Sequence, residues 1–122
     1  VELNKDAVKD AKNNVRMNKI ENIHFINEDA TSFMKDMAKE KQKVDILIMD
    51  PPRSGSTKEF IQATNQLQPK QVVYISCDPT TQVRDLLMFK KYGYVTQDMY
   101  LYDMFPYTGH VESVCLLSRK DK

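Results

Sequence analysis

The chain has 122 residues, with 18 Lys+Arg against 17 Asp+Glu, 41% hydrophobic and 29% charged side chains, 3 Gly, 5 Pro and 2 Cys. A length near that of one ordinary domain buries a core without disulfide staples or a structural metal, which excludes collagen-like, low-complexity and disordered classes. No apolar run approaches the roughly 18 residues that crossing a bilayer requires, and the N-terminus lacks the basic-then-apolar order of a signal peptide, so a cytoplasmic protein is expected.

Asn4 is an N-cap candidate, and Ala7, Val8, Ala11 and Val15 recur at helical spacing until Asn18, which predicts a first helix. Ile23 to Asn27 reads as a short strand. Phe33, Met34, Met37 and Ala38 mark a second helix behind Thr31 or Ser32, which fades into Lys39–Lys43. Val44 to Met49 is almost continuously apolar, as expected of a parallel strand covered on both faces, and Asp50-Pro51-Pro52-Arg53 stops it. A third helix carries Phe60, Ile61, Ala63, Thr64 and Leu67 and ends at Pro69. Val72 to Ser76 is a second buried strand with Cys77 at its carboxyl end. Asp78-Pro79 is a helix-start signature, Gly93 closes that fourth helix, and Tyr94–Tyr102 with Val111–Ser118 predict an antiparallel hairpin.

This alternation predicts an open, mostly parallel α/β sheet with helices on both faces and ligands bound beyond the carboxyl ends of the strands, where Asp50 and Cys77 fall. The whole chain reads as one unit, 1–122. A nucleotide-binding domain of this kind opens with a strand and a glycine-rich turn and places an acidic ribose-binding residue about 20 residues later. Here Glu2 stands where that residue would stand, and no such turn precedes it. The expectation is a partial domain lacking its first strand and most of its second. The strand edge of Val44–Met49 should then pair directly with Ile23–Asn27 or with another molecule, as in a dimer. The competing reading is a small complete α/β domain.

Charge is balanced along the chain, 9 basic and 9 acidic residues through Asp45 and 9 and 8 after it, so composition alone neither demands nor excludes nucleic acid. Cys77 and Cys115 form neither a disulfide framework nor a metal-ligand spacing and are expected as reduced thiols. Cys77, immediately before a helix N-terminus, feels the positive end of the dipole and is the candidate nucleophile; the competing reading is an inert packed cysteine. Cys115, in mid-strand, is read as packing. Asp50 is held at the crevice rim by two prolines, to orient a base or cofactor or simply to start a turn. Arg53 is read as a phosphate contact, a carboxylate partner or a plain surface residue. Glu112 shares a strand face with His110 and Val114 and is a candidate general base, or an exposed residue at a fraying strand start. Phe105 and Tyr107 supply aromatics for a nucleobase; Met99, Tyr102 and Met104 read as core or loop packing. His24 reads as a solvated strand residue.

Asp50-Pro51-Pro52-Arg53, Ser76-Cys77-Asp78-Pro79-Thr80-Thr81 followed by Arg84-Asp85-Leu86, and Asp103–Glu112 (DMFPYTGHVE) together resemble the S-adenosylmethionine-dependent RNA uracil-C5 methyltransferases, over Val1 to Arg119. The resemblance implies a truncated Rossmann-like class I methyltransferase domain, the C-terminal portion of a catalytic domain, acting on rRNA or tRNA to make 5-methyluridine. It implies Cys77 as nucleophile, Glu112 as proton acceptor, Asp50 at the junction of methionine moiety and target base, Glu2 on the cofactor ribose and Asp29 beside the adenine. Asp78 departs from the family's usual Asn, and Gly109 from a frequent His. Nothing here corresponds to the family's upstream RNA-binding barrel or to the iron-sulfur cluster of some members. The isolated chain is expected to be inactive. Two further readings stay open: a non-catalytic folding or binding module, and an amino- or DNA-base methyltransferase using the DPP turn without a cysteine.

Overall fold

A computed structural model describes residues 1–120, in which four helices and four strands follow one another as ααβαβαββ. Helix α1 (Lys5–Met17) starts where Asn4 Oδ1 accepts the amides of Asp6 and Ala7, at 2.9 and 3.1 Å. Its Val8 and Ala11 face Phe25 and Ile26 across a pocket of about 290 Å3.

Residues 23–27 are extended but do not form the expected strand. Their regular contact is a bracket on one residue: Glu2 N–H donates to Ile26 O at 2.9 Å, and Glu28 N–H donates to Glu2 O at 3.2 Å. Asn27 Nδ2 adds bonds to the carbonyls of Glu2 and Leu3. The backbone that bonds to this segment is that of Glu2 and Leu3, too short a partner for a ladder. The segment does not pair with the next strand, so the direct pairing expected there is not made.

Helix α2 (Ala30–Lys39) is capped by Asp29 rather than by Thr31 or Ser32. Asp29 Oδ2 accepts the Ser32 amide at 2.9 Å and the Ser32 hydroxyl at 3.2 Å. An ionised carboxylate is the stronger acceptor for the positive helix end, and Ser32 serves as its donor.

Strand β1 (Ile46–Met49) leads through α3 (Lys58–Leu67) to β2 (Gln71–Ser76), and α4 (Pro79–Lys91) leads from β2 to β3 (Tyr94–Tyr102) and β4 (Glu112–Arg119). The α3 cap is Thr57, whose Oγ1 accepts the Phe60 amide, and the α4 cap is Asp78 followed by Pro79 at the first helical position. The sheet order is β1-β2-β4-β3. It is mixed rather than mostly parallel. Only β1–β2 is a parallel pair; β4 returns antiparallel and inserts between β2 and β3. The β3–β4 register shifts between Thr96 and Asp98, which marks a bulge at Gln97.

Helices do not cover both faces. Val72, Tyr74, Cys115, Leu117 and Met49 share one face, buried under Met34 of α2, Ile61 and Leu67 of α3 and Phe89 of α4. Phe89 and Tyr94 meet edge to face with ring centroids 5.7 Å apart. On the opposite face Ile46 and Ile48 are 54% and 68% exposed, while Val73, Ile75, Val114 and Leu116 are half-buried. The expectation that this first strand is covered on both sides therefore fails, because α1 lies against Phe25 and Ile26 instead. Met99, Tyr102 and Met104, expected as packing residues, are at least half exposed on β3 and the loop after it. Among the described residues no helix is long and apolar enough to cross a membrane.

Packing sets the energetic scale. Leu117 is 1% exposed at the centre of the buried face, whereas Leu87 of α4 is 59% exposed. Leu117→Ala should cost about 2–5 kcal/mol through lost transfer energy and a residual cavity. Leu87→Ala should cost under about 0.5 kcal/mol. Urea unfolding followed by circular dichroism checks both values.

Candidate functional site

The carboxyl ends of β1 and β2 and the amino end of β4 meet along one rim of the sheet. Cys77 follows β2, is half-buried and is not in a disulfide. The β2–β4 ladder ends at the pair Ser76–Ser113, so continuing it by one residue brings Cys77 level with Glu112. Glu112 is the first residue of β4, is half-buried and is paired across the other edge with Tyr102. The strand alternation predicted for Glu112 and Val114 holds; His110 lies outside the strand and is exposed.

Asp50 follows β1 and is exposed at the same rim. Together with Glu2 and Asp29 it borders a cleft of about 650 Å3, whose walls include Phe33, Met49 and Pro51. With Glu28, carboxylates from three separate stretches of the sequence thus surround one apolar-walled space of the size usual for small-molecule sites. Glu2 Oε1 accepts the Asn4 amide at 2.8 Å, and Asp29 is tied to Ser32 as its helix cap, so both carboxylates are oriented by local bonds. Cys77 and Glu112 are not among the residues that line this cleft. The structure therefore separates the predicted residues into two groups: Glu2, Asp29 and Asp50 around the cleft, and Cys77 with Glu112 at the neighbouring strand ends.

The segment between them is tightly held. Arg53 Nη2 donates to His110 Nδ1 at 2.8 Å, a partner that neither a phosphate nor a carboxylate reading of Arg53 anticipates. Its carbonyl accepts the Thr81 hydroxyl at 2.9 Å. Asp85, 1% exposed, accepts the Ser56 amide at 2.7 Å and the Tyr74 hydroxyl at 2.7 Å. Arg84 adds two bonds to Asp85 Oδ1, at 3.1 Å from Nε and 2.9 Å from Nη2. Burial, and then the hydrogen bond to Asp85, push the Tyr74 phenol well above its ordinary value. Asp78, capping α4, is held below the usual carboxylate range by the Thr80 hydroxyl and amide. Burial pushes the Cys115 thiol up, consistent with a packing residue that is fully buried.

Of these groups, sequence reading passed over the role of Asp85. The signal was present: Gln82, Asp85 and Phe89 fall on the buried stripe of α4, and a carboxylate on such a stripe requires several donors. Phe105 and Tyr107, predicted to meet a base, are exposed on the β3–β4 connection, and Tyr107 holds a left-handed backbone, φ 65°.

The tRNA (uracil-5-)-methyltransferase family profile matches residues 1–120. An uncharacterized RNA methyltransferase of Lactobacillus johnsonii is 45% identical over 122 residues, covering 100% of this chain and 27% of that protein. One from Caldanaerobacter subterraneus is 44% identical over 119 residues, covering 98% of this chain and 26% of its own length. The chain therefore spans about a quarter of the length of these curated relatives. Among solved structures, the tRNA (uracil-54, C5)-methyltransferase of Pyrococcus abyssi in complex with S-adenosyl-L-homocysteine aligns with a TM-score of 0.77 and 31% identity, over 94% of this chain and 26% of that one. An rRNA methylase from Streptococcus thermophilus aligns with a TM-score of 0.72 at 10% identity over 98% of this chain and 71% of that one, a likeness of fold alone.

The rim geometry generates two expectations. Gly55 has φ +82°, and a Cβ there would lie 2.5 Å from Arg84 Nη2 and 2.7 Å from Asp85 Oδ2, whereas Gly93, φ +90°, has open space around it. Gly55→Ala should therefore cost more than about 1 kcal/mol and clearly more than Gly93→Ala, as read from thermal midpoints. Because the folded Tyr74 phenol titrates above its unfolded value of 10.0, its contribution is complete below that pH and is lost as pH rises through the higher folded value. Tyr74→Phe should flatten the loss of stability above about pH 10, measured by urea unfolding across the alkaline range.

Proposed function

The chain belongs to the tRNA (uracil-5-)-methyltransferase family, and from that membership we propose that the protein transfers a methyl group from S-adenosylmethionine to C5 of a uracil in tRNA or rRNA, giving 5-methyluridine. The observation that carries this reading is that half-buried Cys77 directly follows β2 and Glu112 opens β4, each one residue beyond the ladder pair Ser76–Ser113, at the sheet rim where Asp50 also follows β1.

The cleft suits the methyl donor in size and in donor set. Of the residues that line it, Glu2 would accept hydrogen bonds from ribose hydroxyls, Asp29 would stand beside the adenine, and Asp50 would face the methionine end next to the target base. When bound, S-adenosylmethionine supplies an electrophilic methyl group.

The chain's own residues do the rest. Uracil C5 is a poor nucleophile. The Cys77 thiolate bonds to C6 and pushes the C5–C6 electron pair toward the C4 carbonyl, which makes C5 electron-rich. After C5 has been methylated, Glu112 takes the C5 proton, the electron pair re-forms the C5–C6 double bond, and the C6–S bond breaks to return the thiolate. A base inside structured RNA has to leave its stack to reach Cys77, and the exposed rings of Phe105 and Tyr107 are suited to receive it.

The exposed Ile46 and Ile48 and the single partner strand of β1 support the further proposal that the 122-residue chain by itself is inactive or nearly so. The test therefore uses the intact protein with 5-fluorouridine RNA and S-adenosylmethionine. Fluorine at C5 cannot leave as a proton, so a covalent protein–RNA adduct should accumulate in the wild type. It should disappear in Cys77→Ala. In Glu112→Gln on ordinary RNA, turnover to released 5-methyluridine should fall by roughly a hundredfold or more, with the methylated covalent adduct accumulating. An equal adduct in Cys77→Ala refutes the nucleophile, and undiminished methyl transfer in Cys77→Ser points instead to direct attack by a substrate nitrogen.

A further inference from the structure

Helix α4 carries three side chains that grip the backbone of residues 53–56, the segment that follows Asp50-Pro51-Pro52. The Thr81 hydroxyl holds the Arg53 carbonyl at 2.9 Å. Arg84 Nη2 holds the carbonyls of Ser54 and Ser56 at 2.9 and 3.3 Å. Asp85 Oδ2 holds the Ser56 amide at 2.7 Å. Beneath that grip the segment makes a turn, with Gly55 N–H donating to Pro52 O at 2.8 Å, and Gly55 leaves just enough room for the Asp85 carboxylate. At its other side the segment reaches the β3–β4 connection through Arg53 and His110, two residues before Glu112.

We propose that Asp85, acting with Arg84, is a positioning residue for uracil methylation: it fixes residues 53–56 so that Asp50 on one side and the His110–Glu112 approach on the other are presented to Cys77. This rests on the functional reading given above. Asp85 is 1% exposed and touches no substrate; it acts through the segment. An apolar side chain would fill the same space between β2 and α4 without the desolvation that a buried carboxylate incurs, so packing alone does not require an acid here. What the carboxylate achieves for the loop is acceptance of the Ser56 amide together with the Arg84 guanidinium of α4, while the Tyr74 hydroxyl of β2 anchors it to the sheet and serves stability. The Arg84 side chain is 54% exposed where Asp85 is 1%, and beyond this ion pair its guanidinium reaches the two loop carbonyls.

The experiment compares Asp85→Asn with Tyr74→Phe in the intact protein, measuring methyl transfer to uridine RNA and backbone hydrogen exchange. Asp85→Asn keeps the size but turns an NH2 toward donors. It should lower kcat by roughly tenfold or more with KM for RNA within about twofold, because misplacement of about 1 Å is costly to a reacting arrangement. The Ser56 amide should lose its slow exchange while the β2 and β4 amides stay protected. Tyr74→Phe, which leaves the Ser56 and Arg84 bonds intact, should keep kcat within about twofold of wild type despite lower stability. An unchanged kcat in Asp85→Asn, or equal losses in the two variants, overturns the proposal. If Asp85→Asn does not fold, Arg84→Met removes the Ser54 and Ser56 carbonyl bonds from a more exposed position, and an undiminished kcat there overturns it equally. A wild type that methylates no uridine refutes the functional reading and this proposal with it, whereas an active wild type with an unaffected Asp85→Asn refutes the proposal alone.

Discussion

The antiparallel insertion of β4 between β2 and β3 is the constraint on which the site depends. Its pairing with β2, from Gln71–Ser118 to Ser76–Ser113, brings residues separated by more than thirty positions to one end of the sheet. Register does this without any contact between the reacting groups themselves. A slip by one residue would turn Cys115 and Leu117 out of the core and carry Glu112 away from the level of Cys77, so burial of those apolar side chains also fixes the chemistry.

The two faces of the sheet have different standing. One is sealed by α2, α3 and α4 and contains the fully buried Ile61, Val72, Tyr74 and Cys115. The other leaves Ile46 and Ile48 in solvent at an edge with one paired side. The small unit formed by α1, Val1–Leu3 and Phe25–Ile26 connects to the rest through α2, whose Thr31 hydroxyl meets that of Thr57 at the start of α3, 3.0 Å away. The cleft lies between these parts: Glu2 comes from the small unit, Asp29 from the cap of the connecting helix α2 and Asp50 from the end of β1.

Much of this was legible in the sequence where a single residue carries a local rule. Asn4, Asp78-Pro79 and Gly93 announce helix boundaries through their own side chains or backbone freedom, and the structure keeps them. The hairpin direction followed from a connection too short for a crossover. The rest depended on competition between neighbours or on distant partners. Asp29 displaced Thr31 and Ser32 as cap because a carboxylate accepts more strongly than a hydroxyl. Residues 23–27 have the composition of a strand but lack neighbours long enough to make one. Strand order, and hence the mixed sheet, rests on where β4 docks, which periodicity does not encode. Cys77, Glu112, Asp50, Glu2 and Asp29 were singled out by motif and position. The bonds that orient Arg53 and Ser56 lie 57 and 29 residues apart in sequence and emerge only from the fold.

The bulge at Gln97 has a further consequence, for solubility. Strand β3 is the outer strand on its side and presents Val95, Met99, Tyr100, Leu101 and Tyr102, five large apolar or aromatic residues, to solvent. A straight ribbon of that composition would template stacking of one copy on the next. The extra residue between Thr96 and Asp98 bends and over-twists the ribbon, and Asp98 sets a negative charge at the kink, so a second copy meets neither a flat hydrogen-bonding row nor a neutral one. The irregularity thus serves as a guard against fibre-like growth.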